Sequence, residues 1–262
     1  MFRNFNLVLI STCDLFSDSL HKKKQRRRKL RIKLILVLAL ALLGFKATAD
    51  DHARPFTVFI GISTDNPAAV VGAWDTFMAS DCGKSHPGQV SIMNEFFNGE
   101  YPATHTVIVS YPNQQAWAQG VANNRCLEWS QLMRSVSTVT EPVFQTLGMG
   151  VLAGGDLSKD GAYTIVQMDV LDEAKYAAAF QDWVKAQIAA GQKITSYGIV
   201  RTVGGSQGNL GTHFAYIGSA NGLDQLDNAA TSDQKLMQKF RSKVSGMRTV
   251  KSVSINYVAK RY

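Results

Sequence analysis

Three charged residues stand where a reaction could use them. Glu95, Asp169 and Arg201 each lie inside a stretch whose residue types read as β-strand. A carboxylate held inside a protein can act as a base, because burial raises its pKa. A guanidinium can grip an anionic substrate through two parallel hydrogen bonds. Side chains alternate between faces along a strand. In Tyr163–Leu171, Thr164, Val166, Met168 and Val170 form one face, and Tyr163, Ile165, Gln167 and Asp169 form the other. In Val250–Val258, Val253, Ile255 and Tyr257 separate in the same way from Ser252, Ser254 and Asn256. The apolar faces should pack on helices. The mixed faces should line the space between sheets, joined by Glu95, Arg201, Thr106, Ser110 and Tyr216. The candidate ligand-binding set is therefore Glu95, Gln167, Asp169, Arg201, Tyr216 and Asn256. A hydrogen-bonded interface between sheets, or a solvated sheet face, explains the same pattern. No spacing in the sequence brings Asp169, Glu95 and Arg201 together.

His105 and His213 invite a metal reading. A metal needs three or four converging ligands, and there is no CxxC, HExxH or paired-His helix. The register places both histidines on the helix-side face, with Val107 and Val109, or with Ala215 and Ile217. No metal and no cofactor is assigned. The loop Gly205-x-x-Gly208-x-x-Gly211 lies between two strands and opens no helix, so it lacks the helix N-terminus that holds phosphate. There is no G-x-S-x-G elbow. Trp74, Trp117, Trp129 and Trp183 all fall on expected helices and read as core.

The elements that must position these residues form one pattern used twice. Phe56–Ser63 reads as strand, and Asn66-Pro67 opens a helix to about Ser80. Gly88–Phe97 and Thr104–Tyr111 read as strands. Asn113 caps a long helix to about Ser137, and Val143–Leu152 is a strand. Residues 154–161, rich in Gly and Asp, form a linker. Then come strand Tyr163–Leu171, a helix from the Asp172 cap to Ala190, strands Ile194–Val203 and Thr212–Gly218, a helix Gly222–Ser245, and strand Val250–Val258. Each half, residues 50–155 and 156–262, is βαββαβ. Thr104-His105 and Thr212-His213 open corresponding strands, and Trp74 and Trp183 lie on corresponding helices.

One βαββαβ unit is the ferredoxin-like arrangement. Two such units, each with helices on one sheet face, can pair their open faces. The chain resembles the dimeric α/β-barrel superfamily, which includes antibiotic-biosynthesis-type monooxygenases. The segment Thr104-His105-Thr106-Val107-Ile108-Val109-Ser110-Tyr111-Pro112-Asn113-Gln114-Gln115-Ala116-Trp117 carries most of the likeness. The resemblance implies an α+β fold of two tandem repeats closing an intramolecular barrel. It also implies a monomer, since single-repeat relatives dimerise to close theirs. Relatives that use haem carry an axial histidine on a helix, and no histidine here falls on an expected helix. Activities on this fold range widely.

The formal charge of +8 is concentrated in the N-terminal block. Residues 50–262 hold 17 basic and 18 acidic residues, which removes the electrostatic case for a nucleic-acid partner. Residues 22–33 are strongly basic, Leu34–Phe45 is an apolar run of 12, and Ala47-Thr48-Ala49 is small-x-small. That order is a secretory signal, and the run is short for a membrane span. Residues 1–49 are read as a dispensable extension plus signal peptide, with translation starting at Leu30. The mature protein is expected in the periplasm or secreted, without stable membrane insertion. Cys82 and Cys126 then form an even pair in an oxidising compartment, and the two helices of one repeat lie side by side, so a disulfide is expected. The leading functional expectation is an exported protein binding a small, partly apolar molecule. A cofactor-free monooxygenase or isomerase, or a non-catalytic scaffold, are the alternatives.

Overall fold

The computed structural model describes residues 54–205 and 211–262. The expected signal region and Ser206–Leu210 of the glycine loop lie outside the described residues. The elements in chain order are β1 (Phe56–Ser63), α1 (Pro67–Ala79), α2 (Asp81–Lys84), β2 (Gln89–Glu95), β3 (His105–Tyr111), α3 (Gln114–Asn123), α4 (Leu127–Ser137) and β4 (Glu141–Gly155). The second half continues with β5 (Ala162–Val170), α5 (Glu173–Ala189), β6 (Ser196–Gly204), β7 (His213–Ser219), α6 (Gly222–Thr231), α7 (Gln234–Lys243) and β8 (Arg248–Arg261). The strands close into one barrel in the order β1-β3-β2-β8-β5-β7-β6-β4, every pair antiparallel.

Local sequence explains most of the boundaries. Asn66, Asn113, Asp172 and Asn221 each cap a helix by accepting from the backbone N–H three residues on. The two long helices expected over residues 114–137 and 222–245 are each broken. Cys126 caps α4 with its sulfur, and Asp233 caps α7 by accepting from Lys235 and Leu236 N–H. A short polar side chain that bonds the local backbone competes with an uninterrupted helix.

β4 and β8 are longer than the sequence suggests, at 15 and 14 residues. Each has two jobs. β4 pairs with β1 over Glu141–Met149 and with β6 of the other half over Leu147–Gly155. β8 pairs with β5 over Arg248–Tyr257 and with β2 of the first half over Asn256–Arg261. Their glycine-rich and basic ends have little strand propensity, so cross-half pairing decides their length.

Each half buries an apolar cluster between its sheet and its own helices. Trp74, Phe77, Ile92 and Val107 lead the first, and Met168, Tyr176, Phe180 and Ile199 lead the second. Cys82 and Cys126 are joined in a disulfide, with Cα atoms 6.6 Å apart, tying α2 to the start of α4. Among the described residues no helix is long and apolar enough to cross a membrane.

Candidate functional site

An aromatic cluster occupies the barrel interior. Phe59 stacks on Phe214 at 5.2 Å, and Phe144, Tyr101 and Ile165 complete the plug. Glycines make room for it: a Cβ at Gly61 would enter the Phe144 ring, and one at Gly148 would strike Val200. Around this plug the polar lining is mostly engaged. Thr106 Oγ1 donates to Glu95 Oε1 at 2.5 Å, and Asn256 faces Glu95 across the β2–β8 pair. Burial raises the Glu95 pKa, with hydrogen bonds from Thr106 and Asn256 opposing. Burial, and then the Glu95 carboxylate, push the Tyr101 phenol up. Tyr101 Oη, Gln167 Oε1 and Asn256 Oδ1 have no hydrogen-bond partner among the described residues.

At one end of the barrel sits a carboxylate that the sequence reading passed over as linker. Asp160 is buried and accepts from Thr195 and Ser196 hydroxyls. Arg261 donates to the Asp160 carbonyl and to the Tyr163 hydroxyl. Burial, with the Asp160 charge adding, raises Tyr163 and pushes Tyr216 up to about 12. Asp160 thus ties the crossing between the halves to β6 and β8.

The six proposed site residues do not form one site. Glu95, Gln167, Tyr216 and Asn256 share the barrel-facing register, as their alternation suggests. Arg201 requires a correction. It lies on the helix side, its Nη1 3.5 Å from Glu173 Oε2 on α5. Asp169 sits at a strand end, 3.0 Å from Lys251 Nζ, and accepts from Thr212 N–H. A register shift between Gln167 and Met168 where β5 meets β8 accompanies this placement. Among the described residues, Cys82, Cys126 and Glu128 are a cluster of metal-ligand types, but the two sulfurs are consumed by the disulfide.

The open space lies outside the barrel, between α1 and the sheet. A groove of about 390 Å³ is walled by one stripe of α1: Pro67, Ala68, Val71, Gly72 and Asp75. Its sheet side is Asn94 on β2, His105 on β3 and Ala259 on β8. Asp75 is held at the rim, 3.2 Å from Lys260 Nζ. His105 is only 9% exposed. Its Nδ1 lies 2.9 Å from Thr104 Oγ1, which also accepts from Thr64 N–H. Among the described residues its Nε2 has no partner. Burial lowers its pKa, so the ring is neutral near pH 7.

The second half shows the same parts in a closed arrangement. His213 Nδ1 lies 2.8 Å from Thr212 Oγ1, as in the first half. Arg201 opposes His213 across β6–β7, as Asn94 opposes His105 across β2–β3. Glu173 follows its cap Asp172 as Pro67 follows its cap Asn66. Here the Glu173 carboxylate fills the space, its Oε2 3.0 Å from His213 Nε2. Pro67 has no such side chain, and the groove stays open. The repeated Thr-His pair was a sequence signal for this site. The signal for Asn94 lay in its neighbour Glu95, whose side chain takes the opposite face.

No protein-family description and no curated protein sequence matches this chain. Solved structures do match in shape. A protein from Fusobacterium nucleatum provisionally classed as a monooxygenase is 10% identical with TM-score 0.56, covering 80% of this chain and 94% of its own. An anthrone oxidase-like protein is 8% identical with TM-score 0.55, covering 80% and 93%. A second protein provisionally classed as a monooxygenase, from Lactobacillus acidophilus, is 11% identical with TM-score 0.51, covering 79% and 94%. At such identities the likeness is one of fold. The strand order, the bridging of the two halves by their last strands and these matches together give the fold of the dimeric α/β-barrel superfamily, with both ferredoxin-like halves supplied by one chain.

Proposed function

We propose that the protein, after export, binds a small, partly apolar molecule in the groove between α1 and the sheet of the first half. The observation that carries this reading is the contrast between the halves: the same Thr-His pair faces an open groove in one and a carboxylate of the chain itself in the other. The groove has mostly apolar walls and a few convergent polar groups, as small-molecule sites do. The aromatic cluster inside the barrel favours the groove over the barrel as the binding place.

Gly72 offers a direct test. A Cβ there meets nothing within 4 Å, so Gly72→Leu adds side-chain bulk at the groove wall with no clash at its Cβ. Native mass spectrometry of protein recovered from the periplasm should show a retained small molecule in the wild type and not in Gly72→Leu. Retention unaffected by the substitution would remove the groove reading. Absence of any retained molecule would favour the scaffold alternative, which the packed barrel also suits. The enzyme alternative rests on His105, a neutral imidazole with a free Nε2 at the groove wall, able to take a proton from a bound molecule. Export has its own test. The signal should be cut between Ala49 and Asp50, and Ala49→Trp should leave the precursor uncut.

A further inference from the structure

Resting on that reading, we infer that the groove of the first half takes a carboxylate-bearing molecule, whose carboxylate sits on His105 Nε2 and Asn94 with its apolar body along α1. The second half supplies the template. There the chain places its own carboxylate, Glu173, 3.0 Å from His213 Nε2 and 3.5 Å from Arg201 Nη1. Four correspondences fix the overlay. The Thr-His hydrogen bond recurs at 2.9 and 2.8 Å. The residue opposing each histidine is polar, Asn94 or Arg201. Glu173 and Pro67 hold the first helical position after an Asx cap. Each histidine lies at the start of its strand, buried to within 9%.

The first half keeps the seat and lacks the occupant. His105 is more than nine-tenths buried, lines the groove, and has an Nε2 unpartnered among the described residues. The first turn of α1 borders the groove at Pro67 and Ala68. An anion is favoured beside a helix N-terminus. Val71, Gly72 and Ala259 give the remaining surface an apolar character suited to a short alkyl or aryl chain.

Protonation follows from the same geometry. Burial keeps His105 neutral in the empty groove, and a carboxylate at Nε2 favours its charged form. Binding therefore takes up a proton and tightens as the pH falls from about 8 to about 6, while the ligand stays ionised. The charged groups around the groove are Asp75 on α1 and Lys260 on β8, which pair with each other. Asn94 on β2 is uncharged.

The first test supplies the carboxylate within the chain. Pro67→Glu copies the arrangement of the second half, and Pro67→Gln is its uncharged control at the same exposed position. The pKa of the His105 ring is read by NMR titration. It should rise in Pro67→Glu and stay at the wild-type value in Pro67→Gln. An unchanged pKa in folded Pro67→Glu would overturn the inference. The second test uses 3-phenylpropionate and 3-phenylpropionamide as a matched pair, followed at the His105 ring. The carboxylate should bind about tenfold tighter or more than the amide, as charge-assisted hydrogen bonds are the stronger kind. Pro67→Glu should abolish that preference. Equal binding of the two overturns the carboxylate inference and leaves the groove reading standing. If neither shifts the His105 ring, the groove reading falls with it.

Discussion

Glu95 lies between Thr106 and Asn256 on the barrel-facing side of β2, and burial makes its carboxyl a weaker acid than a free one. Its pKa lies above the ordinary 4.5 because burial disfavours the charge. Between those two values the folded state binds more protons than the unfolded one, so stability falls as pH rises through that window. Glu95→Gln keeps an acceptor for Thr106 and removes the titration. Urea unfolding from pH 4 to pH 8 should show a flatter profile for the variant, with stability at pH 8 no lower than wild type. A loss that is greatest at pH 8 would mean that the ionised carboxylate serves a partner. The sequence placed Glu95, Gln167, Tyr216 and Asn256 on the correct sheet face, because alternation along a strand is a local property. Arg201 was assigned to the wrong face although alternation puts it with Tyr197 and Ile199 on the helix side. Asp169 lies beyond a register shift in the barrel, which alternation does not encode.

At the level of elements, the order of strands and helices was legible because each first helix is announced by an Asx cap and the strands by β-branched runs. The breaks at Cys126 and Asp233 were passed over although Asn123-Asn124 and Thr231-Ser232, poor helix formers, precede them, because the apolar residues on either side continue the pattern of one long helix. Cys126 was expected midway along a helix. It lies instead at the start of α4, where it bridges to Cys82. The bridge closes a loop of sequence separation 44. Cross-linking reduces the freedom of the unfolded chain, and removal of such a bridge costs about 2–4 kcal/mol. A Cys82→Ser, Cys126→Ser double variant should lose that much in urea unfolding, and reduced wild type should match it. Gly61 tests the barrel plug. Its missing side chain is where the Phe144 ring lies, so Gly61→Ala forces that ring or its strand to move. Overpacking of this kind costs about 1–3 kcal/mol. A thermal midpoint unchanged in Gly61→Ala would show that the plug is looser than its contacts imply.

For the molecule as a whole, closure is the governing fact. Eight strands of one chain complete the barrel with no strand left for a second copy to supply. Sedimentation at micromolar concentration should therefore give the mass of a single chain, and a tight dimer would mean that some other surface drives association. The two-repeat architecture was visible in the sequence as a repeated element order, while the bridging of the halves by β4 and β8 was not. Bridging is decided by which open sheet edge each long strand meets, and no local residue pattern records that choice.

This cross-half pairing also sets an order of events as the chain folds. The free edge of β2 is covered only by β8, the last of the eight strands to be made. Until β8 arrives, Ser91–Glu95 present unpaired backbone groups to any neighbour. Such an edge is a template for strands from other chains. The first half can assemble its own helices and all four of its strands early, yet the β2 edge must wait for almost the whole chain before it is sealed. Chains crowded together while folding can pair this edge with the β8 of a neighbour, so the concentration of folding chains bears on yield, independent of how stable the finished barrel is.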